Sequence, residues 1–151
     1  MHDVVVIALG SPVLVGVYDE SGALVEAIAS EKMGSDALGG IFEELLIKYP
    51  LRHLVYANGP GSFMGIKVTY LFLKTISLVK KIPLFAVDGF FFNRNHPIKA
   101  YGKLYFVKNS STISVTPLDA PMLRGFELPT HLDKQNFKSD NTPYYGIDAV
   151  G

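Results

Sequence analysis

Leu54-Val55-Tyr56-Ala57-Asn58-Gly59-Pro60-Gly61-Ser62-Phe63-Met64-Gly65-Ile66-Lys67 reads as a buried strand, a glycine–proline turn and the first turn of a long helix. Three glycines and a proline within seven residues are costly in unfolded-chain entropy, so the backbone there needs unusual dihedrals or a close approach. Ser62 stands where an N-cap belongs, its hydroxyl placed to accept from an otherwise unpaired backbone N–H. The turn also invites comparison with phosphate-binding loops. It departs from the Walker A pattern, because Gly65 is followed by Ile66 rather than by lysine and a hydroxyl residue. It approaches the dinucleotide fingerprint, but the third glycine comes one residue late; Asp88, after the next strand, stands where a ribose partner would.

Upstream, Val4 to Leu9 is a continuous apolar run that suits a central strand buried on both faces. Val13 to Tyr18 gives a second strand, Asp19-Glu20-Ser21-Gly22 a turn, and Ala23 to Ala29 a third strand. Three strands joined by short turns predict an antiparallel meander, not the strand–helix opening of a Rossmann domain. Ser35 or Asp36 is the expected cap of a helix running to about Lys48, with Leu38, Ile41, Phe42, Leu45 and Leu46 as its apolar stripe. Gly39-Gly40 inside it reads either as a frayed first turn or as a flat spot for a closely packed helix. A second helix follows from Ser62 to about Lys81. Lys67, Lys74 and Lys81 form its polar stripe, and apolar residues occupy far more than the roughly 100° that one sheet requires. This predicts a helix held between its own sheet and another helix, from this chain or a second one. Leu84 to Val87 completes the order β-β-β-α-β-α-β. Phe90-Phe91-Phe92 reads as an exposed aromatic run, Asn93 to Pro97 as loop, and Leu104–Lys108 with Thr112–Val115 as a hairpin. From Pro117 onward no periodicity is visible, which predicts a loosely attached or partly disordered tail.

Composition narrows the chemistry. The 151 residues contain 14 lysines plus arginines, 14 aspartates plus glutamates and no cysteine. The zero net charge argues against a chain that grips nucleic acid by itself, because phosphate neutralisation needs a basic surplus. The missing cysteines remove disulfides, thiolate metal sites and cysteine nucleophiles. His2, His53, His96 and His131 show no metal-ligand spacing, and His53 at a strand start reads as half-buried and structural. Ser62 lacks a nucleophile-elbow context, and no carboxylate pair is placed by spacing for acid–base work. Met1-His2-Asp3 lacks the basic opening of a signal peptide, and no run approaches a membrane span, so the expected location is cytoplasmic. A hydrophobic share of 48% with mean hydropathy +0.24 is high for a small chain and points to a partner.

The run Asn58 to Val68 resembles the G-P-G-S-F-T-G-[IV]-R-[IV] signature of the bacterial TsaB (YeaZ) family, with Met64 and Lys67 as departures. Val4 to Ser11 is similar to the family's first strand, with Ala8 in place of its aspartate, and Pro83 to Asp88 is similar to a later strand and turn. The resemblance implies an actin-like, ribonuclease-H-like ATPase fold, with residues 1–108 as its N-terminal lobe and 109–151 as a reduced C-terminal lobe or partly disordered tail. It implies a non-catalytic scaffold that holds a TsaD-like catalytic subunit in tRNA threonylcarbamoyladenosine synthesis and forms a homodimer through the same surface when alone. A TsaE-like ATPase joins that complex. ATP and Mg²⁺ are implied only for the assembly, and tRNA only through it. The candidate loop contacts, shared with a partner, are Gly59, Pro60, Gly61, Ser62, Phe63 and Gly65. The candidate partner or dimer surface is Gly39, Gly40, Phe42, Lys67, Tyr70, Leu71 and Lys74. The alternative is a small nucleotide- or anion-binding enzyme using the Gly59–Gly65 turn.

Overall fold

A computed structural model describes residues 1–32 and 35–146. The apolar runs become strands β1 (His2–Ile7), β2 (Val13–Tyr18), β3 (Leu24–Ser30), β4 (Leu51–Ala57) and β5 (Leu84–Val87), with helices α1 (Ser35–Lys48) and α2 (Phe63–Lys80). The five strands form one sheet in the order β3-β2-β1-β4-β5. β1 pairs antiparallel with β2, and β2 with β3, which is the predicted meander. β1–β4 and β4–β5 pair in parallel, as strands separated by a crossover helix must. Val4, Val5, Val6 and Ile7 are all buried because β1 is central and covered on both faces.

One face carries the two helices. Leu38, Phe42 and Leu45 of α1 and Leu73 of α2 pack onto Val4, Val6, Val15, Leu54 and Ala86. The helices meet edge-on through Phe42 and Phe72, with ring centroids 5.5 Å apart. The cap sought at Ser35 lies outside the described side chains, while Asp36 falls in the first turn, where a carboxylate favours the helix dipole. Ser62 is the N-cap of α2, accepting from Gly65 N at 3.1 Å, and Lys81 closes the helix in the left-handed conformation. Among the described residues no helix is long and apolar enough to cross a membrane.

The opposite face corrects the reading of the tail. The segment after Pro117 crosses that face instead of hanging loose. Phe126, Leu128, Leu132, Phe137 and Tyr145 pack onto Val5, Ile7, Val55, Ala57 and Val87. Its backbone is tied to the sheet along the way: Tyr18 Oη donates to Pro129 O at 2.7 Å, and Leu132 N to Gly22 O at 2.8 Å. Further on, Ala86 and Lys138 exchange two bonds at the β5 edge.

Two smaller expectations also change. Phe90 and Phe92 are buried and only Phe91 is exposed, because Asp88 caps a single 3₁₀ turn, Gly89–Phe91, that rolls the run inward. The expected hairpin has a third strand, so that β6 (Ile98–Tyr101), β7 (Leu104–Asn109) and β8 (Thr112–Pro117) form a separate antiparallel sheet.

Candidate functional site

The glycine turn sits at the carboxyl end of the parallel strands, the edge where open α/β sheets take their ligands. Its glycines are explained by neighbours within the chain. A side-chain carbon on Gly65 would fall 2.1 Å from Ala8 O, and one on Gly61 2.7 Å from Leu9 Cβ. Gly59, at φ +128°, would place one 1.9 Å from Tyr144 O. The turn is therefore pressed against the end of β1 on one side and the tail on the other. Three donors along it are engaged within the chain: Ser62 N with Leu9 O at 3.0 Å, Gly65 N with Ser62 Oγ, and Asn58 N with Val87 O at 3.1 Å.

The tail seals this edge. Tyr56 Oη donates to Asn141 O, Asn58 Nδ2 to Thr142 O at 3.0 Å, and Tyr144 N to Asn58 O at 2.7 Å. Burial of the Tyr56 phenol drives its proton affinity well above the ordinary tyrosine value, consistent with an OH held in a dry junction. Asp88 is committed elsewhere, accepting from Phe90 N at 3.0 Å and pairing with Lys108 Nζ at 2.6 Å. It does not stand free for a ribose. A crevice of about 130 Å³ remains between the β1–β2 turn and the helix N-termini, lined by Ala8, Ser11, Lys32, Ser62, Gly65 and Thr69 among others. Small-ligand sites run to roughly 300–1,000 Å³.

The expected partner surface divides. Phe42 must be removed from it, since the stripe that seats α1 on the sheet buries this ring completely. Tyr70 is half-buried and leans toward Tyr56, with centroids 6.0 Å apart. Lys67 and Leu71 are exposed and Lys74 half-exposed on the outward side of α2. Gly39 and Gly40 face open space, where a side-chain carbon would meet nothing within 4 Å. The loop positions Gly59 and Pro60 are buried, Gly61, Ser62 and Gly65 are half-buried, and Phe63 is exposed.

Beside Leu71, the outward side of α2 carries Met64, Leu78 and Val79, which the expected partner surface did not include. Met64, Leu71 and Leu78 are 65%, 54% and 69% exposed, and Val79 is 70% exposed. Met64, Leu71 and Leu78 recur every seven residues, so they form one row beside the Lys67–Lys74–Lys81 row. That seven-residue spacing was the signal available in the sequence. At the N-terminal end, Phe63, Met64, Lys67 and Tyr145 line an open groove of about 330 Å³, its walls almost wholly apolar. Phe63 stands edge-on to Tyr145 there, centroids 5.3 Å apart. Helix α1 thus covers one flank of α2, and an apolar row on the other is left to solvent.

A second charged cluster lies at the foot of the sheet. Asp3 is wholly buried and receives Arg52 Nη2 and His53 Nδ1, each at 2.9 Å. His53 packs edge-on against Phe85, in keeping with the structural role expected of it. Among the described residues no group of three or more histidines, aspartates and glutamates is arranged to hold a metal ion.

No family model and no curated protein sequence matches the chain. Its fold is similar to solved structures. YeaZ from Pseudomonas aeruginosa superimposes with a TM-score of 0.64 at 12% identity, covering 77% of this chain and 66% of that one. A protein described as having similarity to peptidase YEAZ from Pseudomonas aeruginosa gives 0.61 at 12% identity, covering 81% and 69%. At that identity the likeness is one of fold. The chain spans about two thirds of those structures' length.

Proposed function

We propose that the chain is a non-catalytic partner subunit of the TsaB type, built on an actin-like N-terminal lobe. It holds a TsaD-like catalytic subunit during threonylcarbamoyl transfer to tRNA adenosine. The observation that carries this reading is the uncovered apolar row Met64–Leu71–Leu78 on α2, continued at its end by the Phe63–Tyr145 groove. Large apolar side chains exposed in a continuous row mark a protein–protein surface. The flanking Lys67 and Lys74 supply a charged rim of the kind such surfaces carry. In the absence of the partner the same row serves a homodimer. A TsaE-like ATPase, ATP with Mg²⁺, and tRNA belong to the assembly, which places the chain in the cytoplasm. The fold likeness to YeaZ and the sealed glycine turn both favour this over a nucleotide-binding enzyme.

The test is co-elution with a TsaD-like protein, using Leu71→Glu and Leu78→Glu. A charge at the centre of an apolar interface costs about 2 kcal/mol or more, roughly a 30-fold loss of affinity. The isolated chain changes by no more than about 0.5 kcal/mol, because both positions face solvent. The reading fails if neither the chain nor its mixture with the partner associates, or if both variants bind as well as the parent.

A further inference from the structure

The balanced total charge conceals a local asymmetry. Residues 89 to 118 contain Arg94, Lys99, Lys103 and Lys108 and not one aspartate or glutamate. Taking those four from the 14 cations leaves 10 against 14 carboxylates in the rest of the chain. This acid-free segment is the second sheet with its approach. Its inner face is fixed: Ile98 lies opposite Phe106, and both are buried against Phe90 and Phe126. Strand alternation therefore turns the next row outward. In that row Lys99 lies opposite Tyr105, and Tyr105 opposite Thr116, so a cation, an aromatic ring and a hydroxyl cross the three strands in register. Tyr101, 78% exposed, ends β6, and the left-handed Gly102 turn sets the exposed Lys103 beside it. Lys108 is taken by Asp88 and does not contribute. Lys99 and Lys103 have no carboxylate within 4 Å among the described residues.

We propose that this outer face binds single-stranded nucleic acid, with bases stacked on Tyr105 and Tyr101 and phosphates held by Lys99 and Lys103. The chemistry is that of a stacking platform beside a short basic track, which suits unpaired bases and not a duplex, whose π-faces are hidden. With two unpaired lysines on the face, binding is weak and salt-sensitive. The proposal uses no residue of α2 and stands independently of the partner reading.

The experiment is fluorescence anisotropy of a labelled oligouridylate of about 10 nucleotides, a length matched to small single-strand sites. It is run with the full chain at low salt. A duplex of the same strand and phosphatidylserine vesicles serve as competitors. The expected result is saturable binding whose log affinity falls with log salt at a slope of about −1 to −2, as release from two phosphates requires. Tyr101→Ala and Lys99→Glu each weaken it about tenfold, the scale of one stacked base, with unchanged unfolding midpoints. Tyr101 is chosen because it is exposed; the half-buried Tyr105 also supports the sheet. The proposal is overturned by absence of saturable binding at low salt, by indifference to both substitutions, or by duplex or vesicles competing better than the single strand.

Discussion

Gly65→Ala tests whether the glycines of the turn serve packing or a ligand. In an exposed helix interior, replacing glycine with alanine gains about 1 kcal/mol. At Gly65 the added carbon would lie 2.1 Å from Ala8 O, against an ordinary contact of 3.4 Å or more, so something must retreat by about 1.3 Å. The obstacle is the backbone of β1, buried at the centre of the sheet, so the start of α2 has to move. That movement strains the Ser62 N to Leu9 O bond and unseats the buried Ile66. Overpacking of this kind costs about 1–3 kcal/mol, and the weakened bond about 1 more. Net of the helix-propensity gain, the loss is about 1–3 kcal/mol, which lowers Tm by roughly 2–12 °C in a chain of this size. Gly40→Ala is the matched control, with nothing within 4 Å of the new carbon. It raises Tm by about 2–4 °C. Thermal and urea unfolding followed by circular dichroism read both. The reasoning is refuted if Gly65→Ala is neutral or stabilising. The control also separates the two readings of Gly39-Gly40: a flat spot for a partner loses association with Gly40→Ala while the free chain gains stability, whereas a frayed turn loses nothing.

Other consequences can be checked on the isolated chain. Arg52→Met leaves the buried Asp3 carboxylate with His53 and the more distant Lys134, 3.9 Å away, and should cost about 2–3 kcal/mol in urea unfolding. A loss below about 0.5 kcal/mol would show that the pair contributes nothing. Glu26 on the edge strand β3 is held below the ordinary carboxylate range, first by the hydrogen bond from Lys48 and then by that from Tyr49. A depressed carboxylate contributes stability above its unfolded value of about 4.3 and loses it as the pH falls through the folded value. Acid unfolding of Glu26→Gln should therefore be shallower than that of the parent below about pH 4.3; identical curves would contradict the linkage. A chain cut after Pro117 exposes Val5, Ile7, Val55 and Val87 and should show no cooperative melt; a sharp transition would mean the tail is dispensable.

The helix and strand periods were readable because each element buries one consistent face: alternation or a continuous apolar run for β1 to β5, and Leu38, Phe42 and Leu45 for α1. The N-cap at Ser62 was readable from its hydroxyl and position alone. The tail was not. Phe126, Leu128, Leu132, Phe137 and Tyr145 anchor it at spacings of 2, 4, 5 and 8 residues, since an extended segment crossing a sheet obliquely presents a side chain only where it passes a gap. Its bonds run through backbone carbonyls such as Pro129 O and Thr130 O, which any residue type supplies. Phe42 was misassigned for a related reason. A ring on an apolar stripe looks the same in sequence whether it seats the helix on its sheet or meets a partner.

The tail changes what the glycine turn means. Parallel strands that end together at a glycine-rich turn ordinarily leave a crevice for a ligand. Here Tyr144 O occupies the space where Gly59 would carry a side chain, and Asn141 and Thr142 accept from Tyr56 and Asn58. One chain therefore supplies both the crevice and its stopper. The same tail covers the second face of the sheet, so both faces of the central strands are closed from within. On the main sheet's helical side, the outward side of α2 stays open, with Leu71, Leu78 and Val79 in water. Folding alone gives no reason to keep three large apolar side chains there, since polar residues at those positions would leave the core untouched. The proposed partner surface gives that reason, on the helix behind the turn.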